Sequence, residues 1–241
     1  MHIDFHTHAP FEGKGVFLDH YKLDQDIDAH MRKLVDDFHK AFPSPKIEAM
    51  PVIGVEISIS MYFKARRRIP LVVQEQCWVV GSIHTYKGPD GNSDPNKFLE
   101  ILDFYGDQID HLAHPFQHEL EGDISLGSGI LKRFVEILEK HSLPTEFNQR
   151  HFRNNGSCHQ FITYMLQHYP NGMLISTDSH HEMWPYKLLP GMIDAPNWKM
   201  LMDPERAERM IKARNNRVLM DVSQPIAILA KKTTDTDSFF S

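Results

Sequence analysis

The chain alternates short apolar runs with segments whose apolar residues recur at helical spacing. Residues 50–58 form an apolar run with a single acid, which predicts a buried strand. Residues 29–42 place their apolar side chains on one helical face, and Pro43 and Pro45 predict the end of that helix. Residues 71–86 are rich in Val, Ile and Trp and predict one or two strands ending at His84.

The rest of the chain continues this alternation. Strands are predicted over residues 3–8, 109–114, 143–147 and 173–177, and helices over residues 95–105, 128–141, 158–169 and 204–213, with a shorter helix from Pro225. Alternating strands and helices predict a parallel sheet in one α/β domain spanning residues 1–241, with a disordered tail at 233–241. In such folds the active site lies at the carboxyl ends of the strands.

Composition narrows the class of protein. A length of 241 residues suits one α/β barrel, and the apolar share of 41 % is typical of a soluble globular protein. We expect no membrane span and no secretory signal, because the chain lacks an apolar run of about 18 residues and a basic, then apolar, start. The two cysteines, Cys77 and Cys158, favour a reducing, cytoplasmic location. A net charge of −6 makes nucleic acid an unlikely partner.

The chain has 16 histidines, and several of them lie where a strand is predicted to end. His6 and His8 are two residues apart on the first strand, so both face the same side. Glu56 lies within an apolar strand, where a carboxylate must be paired, protonated or metal-bound. Further acids and histidines at or near predicted strand ends are His84, His111, His114, Glu146, Asp178 and His180. We interpret His111 alone as a satisfied core or surface histidine.

Histidines mixed with carboxylates, without cysteine, indicate Zn, Mn, Fe or Co rather than a structural cysteine-type zinc site. The order of the motifs resembles that of the polymerase-and-histidinol-phosphatase (PHP) family. The matching segments cover residues 2–181 and are His6-Thr7-His8, Gly54-Val55-Glu56, Ser82-Ile83-His84, His114-Pro115, Glu146-Phe147-Asn148 and Asp178-Ser179-His180. The resemblance implies a distorted (β/α)7 TIM-like barrel. It also implies a metal-dependent phosphatase that hydrolyses a small phosphorylated substrate with two or three divalent ions.

The resemblance also implies roles for individual residues. One metal would be held by His6, His8, Glu56 and Asp178, a second by Glu56, His84 and His114, and a third site would include His180. Glu56, Asp178 and His180 would serve catalysis. Arg153, with Arg150 as the alternative, would meet the substrate phosphate beside Asn148.

The region after the first strand departs from the family pattern. Only about twenty residues separate His8 from the first predicted helix, too few for the helix and second strand that the family usually has there. The sequence therefore leaves open whether one β/α unit is missing, with six strands in the barrel. The family's Asp-His pair corresponds either to Asp19-His20 or to His8-Ala9-Pro10, and Glu12 and His20 are further candidate ligands.

Two other functions stay open at this point. An amidohydrolase-type enzyme acting on C–N or lactone bonds also begins with His-x-His, but it often carries a carboxylated lysine and a lone late aspartate. Here Glu56 and Asp178-Ser179-His180 stand in those places. A non-catalytic, metal-binding regulatory barrel is the other possibility, since a shortened start could cost one metal. The sequence does not name the leaving group, the metal or the oligomeric state.

Overall fold

A computed structural model describes residues 3–46, 51–151, 155–180 and 200–214 of the protein. The strands of this part are β1 (Ile3–Thr7), β2 (Lys14–His20), β3 (Val52–Ser58), β4 (Trp78–Ser82), β5 (His111–Leu112), β6 (Thr145–Asn148) and β7 (Met173–Ser176). The helices are α1 (Ile27–Ala41), α2 (Ser60–Phe63), α3 (Leu71–Gln76), α4 (Pro95–Tyr105), α5 (Gln117–Glu121), α6 (Ser128–His141), α7 (Gly156–His168) and α8 (Pro204–Arg214).

The seven strands form one parallel sheet in chain order, β1 to β7. The chain next to β7 then meets β1. The Asp178 N–H donates to the His6 carbonyl at 2.8 Å, and the buried Asp4 carboxylate accepts from the Thr177 N–H and hydroxyl at 3.1 and 2.6 Å. These bonds bring the two edges together. The predicted TIM-like α/β barrel is therefore confirmed in a nearly closed form.

The alternative of a six-stranded barrel is wrong. Residues 14–20 form β2, which pairs in parallel with both β1 and β3. Only residues 8–13 join β1 to β2, so this unit lacks its helix but keeps its strand. Gly15 fits the tight pairing: its φ is +137°, and a Cβ there would lie 1.8 Å from the Asp4 carbonyl oxygen.

Helix α8 contacts β2, the strand that has no preceding helix of its own. Lys14, buried at the start of β2, forms an ion pair with Glu208 at 2.6 Å between Nζ and Oε1. The buried Arg206 guanidinium donates to the carbonyl oxygens of Pro170, at 3.1 Å, and Met173, at the start of β7. Helix α8 thus ties β2 to the beginning of β7.

The other elements follow local signals, with one exception. Asp26 caps α1 and accepts from two backbone N–H groups, and Asp94 caps α4 and accepts from the Asn96 N–H. Residues 71–76 form α3 instead of the strand predicted there. Their three apolar residues are followed by three polar ones, too short an apolar run for a strand buried on both faces, and the buried strand begins only at Trp78. The helix predicted from Pro225 and the tail at 233–241 lie outside the described residues. Both cysteines are buried thiols, and no described helix is long and apolar enough to cross a membrane.

Candidate metal centre

Polar side chains from the carboxyl ends of six strands meet at one end of the barrel. They are His6 and His8 of the β1 end, His20 of β2, Glu56 of β3, His84 after β4, His114 after β5, and Asp178 and His180 after β7. All eight were candidate ligands in the sequence. His114 and Asp178 adopt left-handed backbone conformations, with φ of 26° and 53°, which is uncommon outside glycine and recurs at functional sites.

Glu56 lies between two sets of imidazoles. Its Oε2 is 2.9 Å from His20 Nδ1, 3.2 Å from His8 Nε2 and 3.6 Å from His6 Nε2. Its Oε1 is 3.5 Å from His114 Nε2 and 3.6 Å from His84 Nε2. Each carboxylate oxygen therefore faces a different group of nitrogens, which is the arrangement that a carboxylate shared by two metal ions requires.

Asp178 faces the same space from the opposite edge of the sheet. Its Oδ1 is 3.2 Å from His180 Nε2, 3.5 Å from His6 Nε2 and 3.6 Å from His8 Nε2. A third group consists of His8, His20 and His180, whose ring nitrogens lie within 4.8 Å of one another. His20 and His180 are partly exposed, so this side of the centre is open to solvent.

The charges of the site suit metal binding. Burial alone raises the pKa of Glu56, but the surrounding imidazoles, His114 and His20 foremost, lower that pKa well below its ordinary value. For Asp178, burial is likewise outweighed by the His151 hydrogen bond, and the pKa falls to about 2. Burial lowers the pKa of His114. The site therefore offers ionised carboxylates and a neutral imidazole, the forms that bind cations.

One buried atom tests whether a cation fits. Glu56 Oε1 is buried, and no donor in the described part of the chain makes a hydrogen bond to it. A buried carboxylate oxygen without a partner is costly, and a cation between it and the two facing imidazoles would satisfy it. Groups of three that could hold an ion are His6/Glu56/His114, His6/His8/Asp178, His8/His20/His180, His114/His151/Asp178 and His6/His111/Glu146. The residues present therefore fit divalent metal ions.

Behind the ligands lies a second buried carboxylate, Glu146 of β6. Its oxygens are 3.3 Å from His6 Nδ1 and 3.2 Å from His111 Nε2, and Oε1 accepts from the His114 N–H at 2.8 Å and from Asn148 Nδ2 at 2.7 Å. Trp78 Nε1 donates to the other ring nitrogen of His111 at 3.0 Å. His111 is thus a satisfied core histidine, as interpreted from the sequence.

Four further candidates from the sequence, which are Glu12, Asn148, Arg150 and Arg153, are not among these ligands. Glu12 is exposed, accepts from the Lys46 N–H at 3.3 Å and belongs to none of the groups above. Asn148, expected beside the substrate, is fully buried and bonded to Glu146 and to the Arg150 N–H. Arg150 is partly exposed, with Nη1 3.6 Å from Asp178 Oδ2. Arg153 lies outside the described residues.

Sequence reasoning missed His151 and Glu121. His151 Nε2 is 2.9 Å from Asp178 Oδ2, and its Nδ1 is 2.7 Å from Glu121 Oε1. Neither residue belongs to the six motifs quoted in the sequence analysis. The sequence carries only a weak indication of this site: His151 follows the end of β6 by three residues, close to the candidate phosphate-binding arginines.

Comparison with solved structures supplies a fold relative. The chain is similar to a histidinol phosphate phosphatase from Lactococcus lactis subsp. lactis Il1403, solved with zinc, L-histidinol and phosphate. The two share 16% identity and a TM-score of 0.52, over 90% of this chain and 94% of the other. This chain has the fold of that phosphatase. An apo structure from Agrobacterium tumefaciens also aligns, at 12% identity and a TM-score of 0.40, over 90% and 80% of the two chains. No protein-family model and no curated protein matches the sequence.

Proposed function

We propose that the protein is a metal-dependent phosphatase that hydrolyses a small phosphomonoester. The observation that carries this proposal is the position of Glu56 between two sets of imidazoles, with Oε1 buried and lacking a hydrogen-bond donor. A carboxylate so placed would be shared by two ions, and paired ions stabilise both the attacking and the leaving oxygen in phosphoryl transfer. The shared fold with a zinc-containing histidinol phosphate phosphatase supports the same chemistry.

The ligand assignment follows the distances. His6, His8, Glu56 and Asp178 would hold one ion, and Glu56, His84 and His114 would hold a second. His20 and His180, with His8, would complete a third site, so the centre takes two or three ions of the Zn, Mn, Fe or Co class. Such ions, when bound, polarise phosphoryl oxygens and make water nucleophilic at neutral pH.

The protein's own groups would orient the substrate and move the proton. Arg150, partly exposed beside Asp178, would bind the equatorial phosphate oxygens, with Arg153 as the other candidate cation. His180, partly exposed at the open side of the centre with Nε2 3.2 Å from Asp178 Oδ1, would pass a proton to the leaving oxygen, and Asp178 is the other candidate for this role. Buried core side chains, among them Trp78, Phe116 and Phe147, pack against the strands that carry these groups.

The test uses purified protein loaded separately with Mn²⁺, Zn²⁺ and Co²⁺. We expect hydrolysis of p-nitrophenyl phosphate or histidinol phosphate, and its loss in Asp178→Asn. Glu139→Gln, an exposed change on α6, is the matched control and should keep full activity. Equal turnover by wild type and Asp178→Asn, or no turnover with any of the metals, contradicts the proposal. Faster cleavage of amide or lactone substrates would instead favour the amidohydrolase alternative. Protein that binds metal but turns over none of these substrates would favour the non-catalytic regulatory barrel.

A further inference from the structure

His151 is not among the ligands assigned above, yet both of its ring nitrogens contact carboxylates at the metal centre or beside it. It lies just after β6, and only 9 % of its surface is exposed. Its Nε2 is 2.9 Å from Asp178 Oδ2, and its ring lies edge-on to that of His114, with the ring centres 4.9 Å apart. One ring nitrogen of His151 therefore points into the centre between two of the assigned ligands.

The other ring nitrogen is held by a carboxylate. His151 Nδ1 is 2.7 Å from Oε1 of Glu121, at the end of α5. Histidines that bind metals usually donate their second N–H to a carboxylate or a carbonyl, which fixes the tautomer and leaves the inner nitrogen with its lone pair free to bind. Glu121 can do this for His151.

His6, an assigned ligand, shows the same arrangement. Its Nδ1 lies 3.3 Å from Glu146, and its Nε2 faces Glu56, Asp178 and the centre. His151 repeats this pattern with Glu121 in place of Glu146, and with the shorter distance to its carboxylate. Two histidines, one on β1 and one just after β6, are thus backed by a carboxylate and directed at the same space.

The distances inside the centre are compatible with ligation. Two ligand atoms each about 2.1 Å from one ion and at right angles are about 3 Å apart. His151 Nε2 and Asp178 Oδ2 are separated by 2.9 Å; without an ion this contact is a hydrogen bond, and a bound ion would replace its proton. One ligand atom each of His114, His151 and Asp178 lie within 4.8 Å of one another.

We propose that His151, oriented by Glu121, is an additional ligand of the metal centre, acting with His114 and Asp178. It would add an imidazole on the side of the Glu56 Oε1 atom, where His84 and His114 already face. The proposal rests on the proposed function only in requiring a bound divalent ion of the Zn, Mn or Co class. It does not depend on which bond the enzyme cleaves.

The first experiment titrates metal-free protein with Co²⁺ and follows visible absorption, with the dissociation constants measured by competition against a chelator. In His151→Gln the amide can still donate to Asp178, but the imidazole ligand is gone. We expect the affinity for one Co²⁺ equivalent to fall more than about 100-fold and the absorption band to change. Glu121→Gln keeps the imidazole and should weaken binding about 10- to 100-fold, as carboxylates behind ligating histidines do. His168→Gln, an exposed change on α7, is the matched control and should leave both readouts unchanged.

An unchanged Co²⁺ spectrum and an affinity within about threefold of wild type in a folded His151→Gln would overturn the proposal. If that variant does not fold by circular dichroism, the wild-type holoprotein decides. With ¹¹³Cd²⁺ and ¹⁵N-histidine, ligation predicts a resolved cadmium–nitrogen coupling at His151 Nε2, and its absence overturns ligation. If the protein binds metal and hydrolyses phosphomonoesters but shows no such coupling, only the assignment of His151 as a ligand fails. If the protein binds no divalent ion, the proposed function fails as well.

Discussion

Two buried glutamates contact opposite edges of the same histidine, yet their surroundings differ. Glu56 Oε2 lies 3.6 Å from His6 Nε2, and Glu146 lies 3.3 Å from His6 Nδ1. Four protein groups donate to the Glu146 carboxylate, two of them imidazoles, one a backbone N–H and one the Asn148 amide. Glu56 has imidazoles all around it, but its Oε1 has no hydrogen-bond donor among the described residues.

This difference separates a support from a ligand. Glu146 is satisfied by the fold itself, and it ties β1, β5 and β6 together through bonds that need no bound ion. Burial raises the pKa of Glu146, but the His6 charge and the bonds from His111 and His6 lower it well below its ordinary value, so it is an ionised partner. Glu56 gains its full complement of partners only with cations. Replacing the two residues in turn should therefore damage different properties.

The largest effect is expected from Glu56→Gln. The amide keeps the size of the side chain but removes the charge that two ions would share. We expect at least one equivalent of metal to be lost and phosphatase activity to fall more than about 100-fold, beyond the usual effect of residues behind the ligands. Elemental analysis and initial rates measure this, with Glu139→Gln as control. Full metal content in Glu56→Gln would remove Glu56 from the ligand set.

Glu146→Gln is expected to act first on stability. An amide cannot accept from all the donors that face this carboxylate, and removing one member of a buried charged network costs about 3–5 kcal/mol. Urea unfolding of the metal-free protein should show this loss, and it should exceed the loss in Glu56→Gln. Metal affinity should also fall about 10- to 100-fold, because His6 loses its orienting partner. If the two metal-free variants unfold at the same urea concentration, the proposed division between support and ligand does not hold.

Metal binding itself should stabilise the protein by a smaller amount. An ion at 100 times its dissociation constant contributes about 2.7 kcal/mol, which raises the Tm of a chain of this size by roughly 5–10 °C. We expect this rise in wild type on adding Zn²⁺ or Mn²⁺ to chelator-treated protein. Glu146→Gln should start from a lower Tm but still respond, whereas Glu56→Gln should respond little. Scanning calorimetry of the three proteins, with and without metal, tests that order.

Much of the fold could be predicted from the sequence because its signals are local. The strands that deliver Glu56 and Asp178 are apolar runs bounded by polar residues, and α4 is marked by Asp94 followed by Pro95. The β1–β2 region could not be predicted in this way. Parallel strands usually need a dozen or more connecting residues, and only residues 8–13 are present. Six residues can extend about 20 Å, enough to return along a five-residue strand of about 17 Å.

The ligand motifs were predictable for a related reason. Each is a short pattern at a strand end, so the parallel topology alone brings His8, His84, His114 and His180 together. The Glu121–His151 pair joins α5 to the segment after β6, thirty residues apart, and no spacing rule links them. A contact between two residues this far apart in the chain can be identified only from the structure.

The smallest effect is expected at a third glutamate, Glu12, which the sequence offered as a ligand. Its side chain is exposed and accepts only from the Lys46 N–H among the bonds described for it, and it joins no group that could hold an ion. Glu12→Gln should change the free energy of unfolding by less than about 0.5 kcal/mol, as surface changes usually do. Its metal content and Co²⁺ spectrum should equal those of wild type. Loss of one metal equivalent in this variant would mean that the segment after β1 moves onto the His8–His20–His180 group when metal binds, and that this group needs a carboxylate.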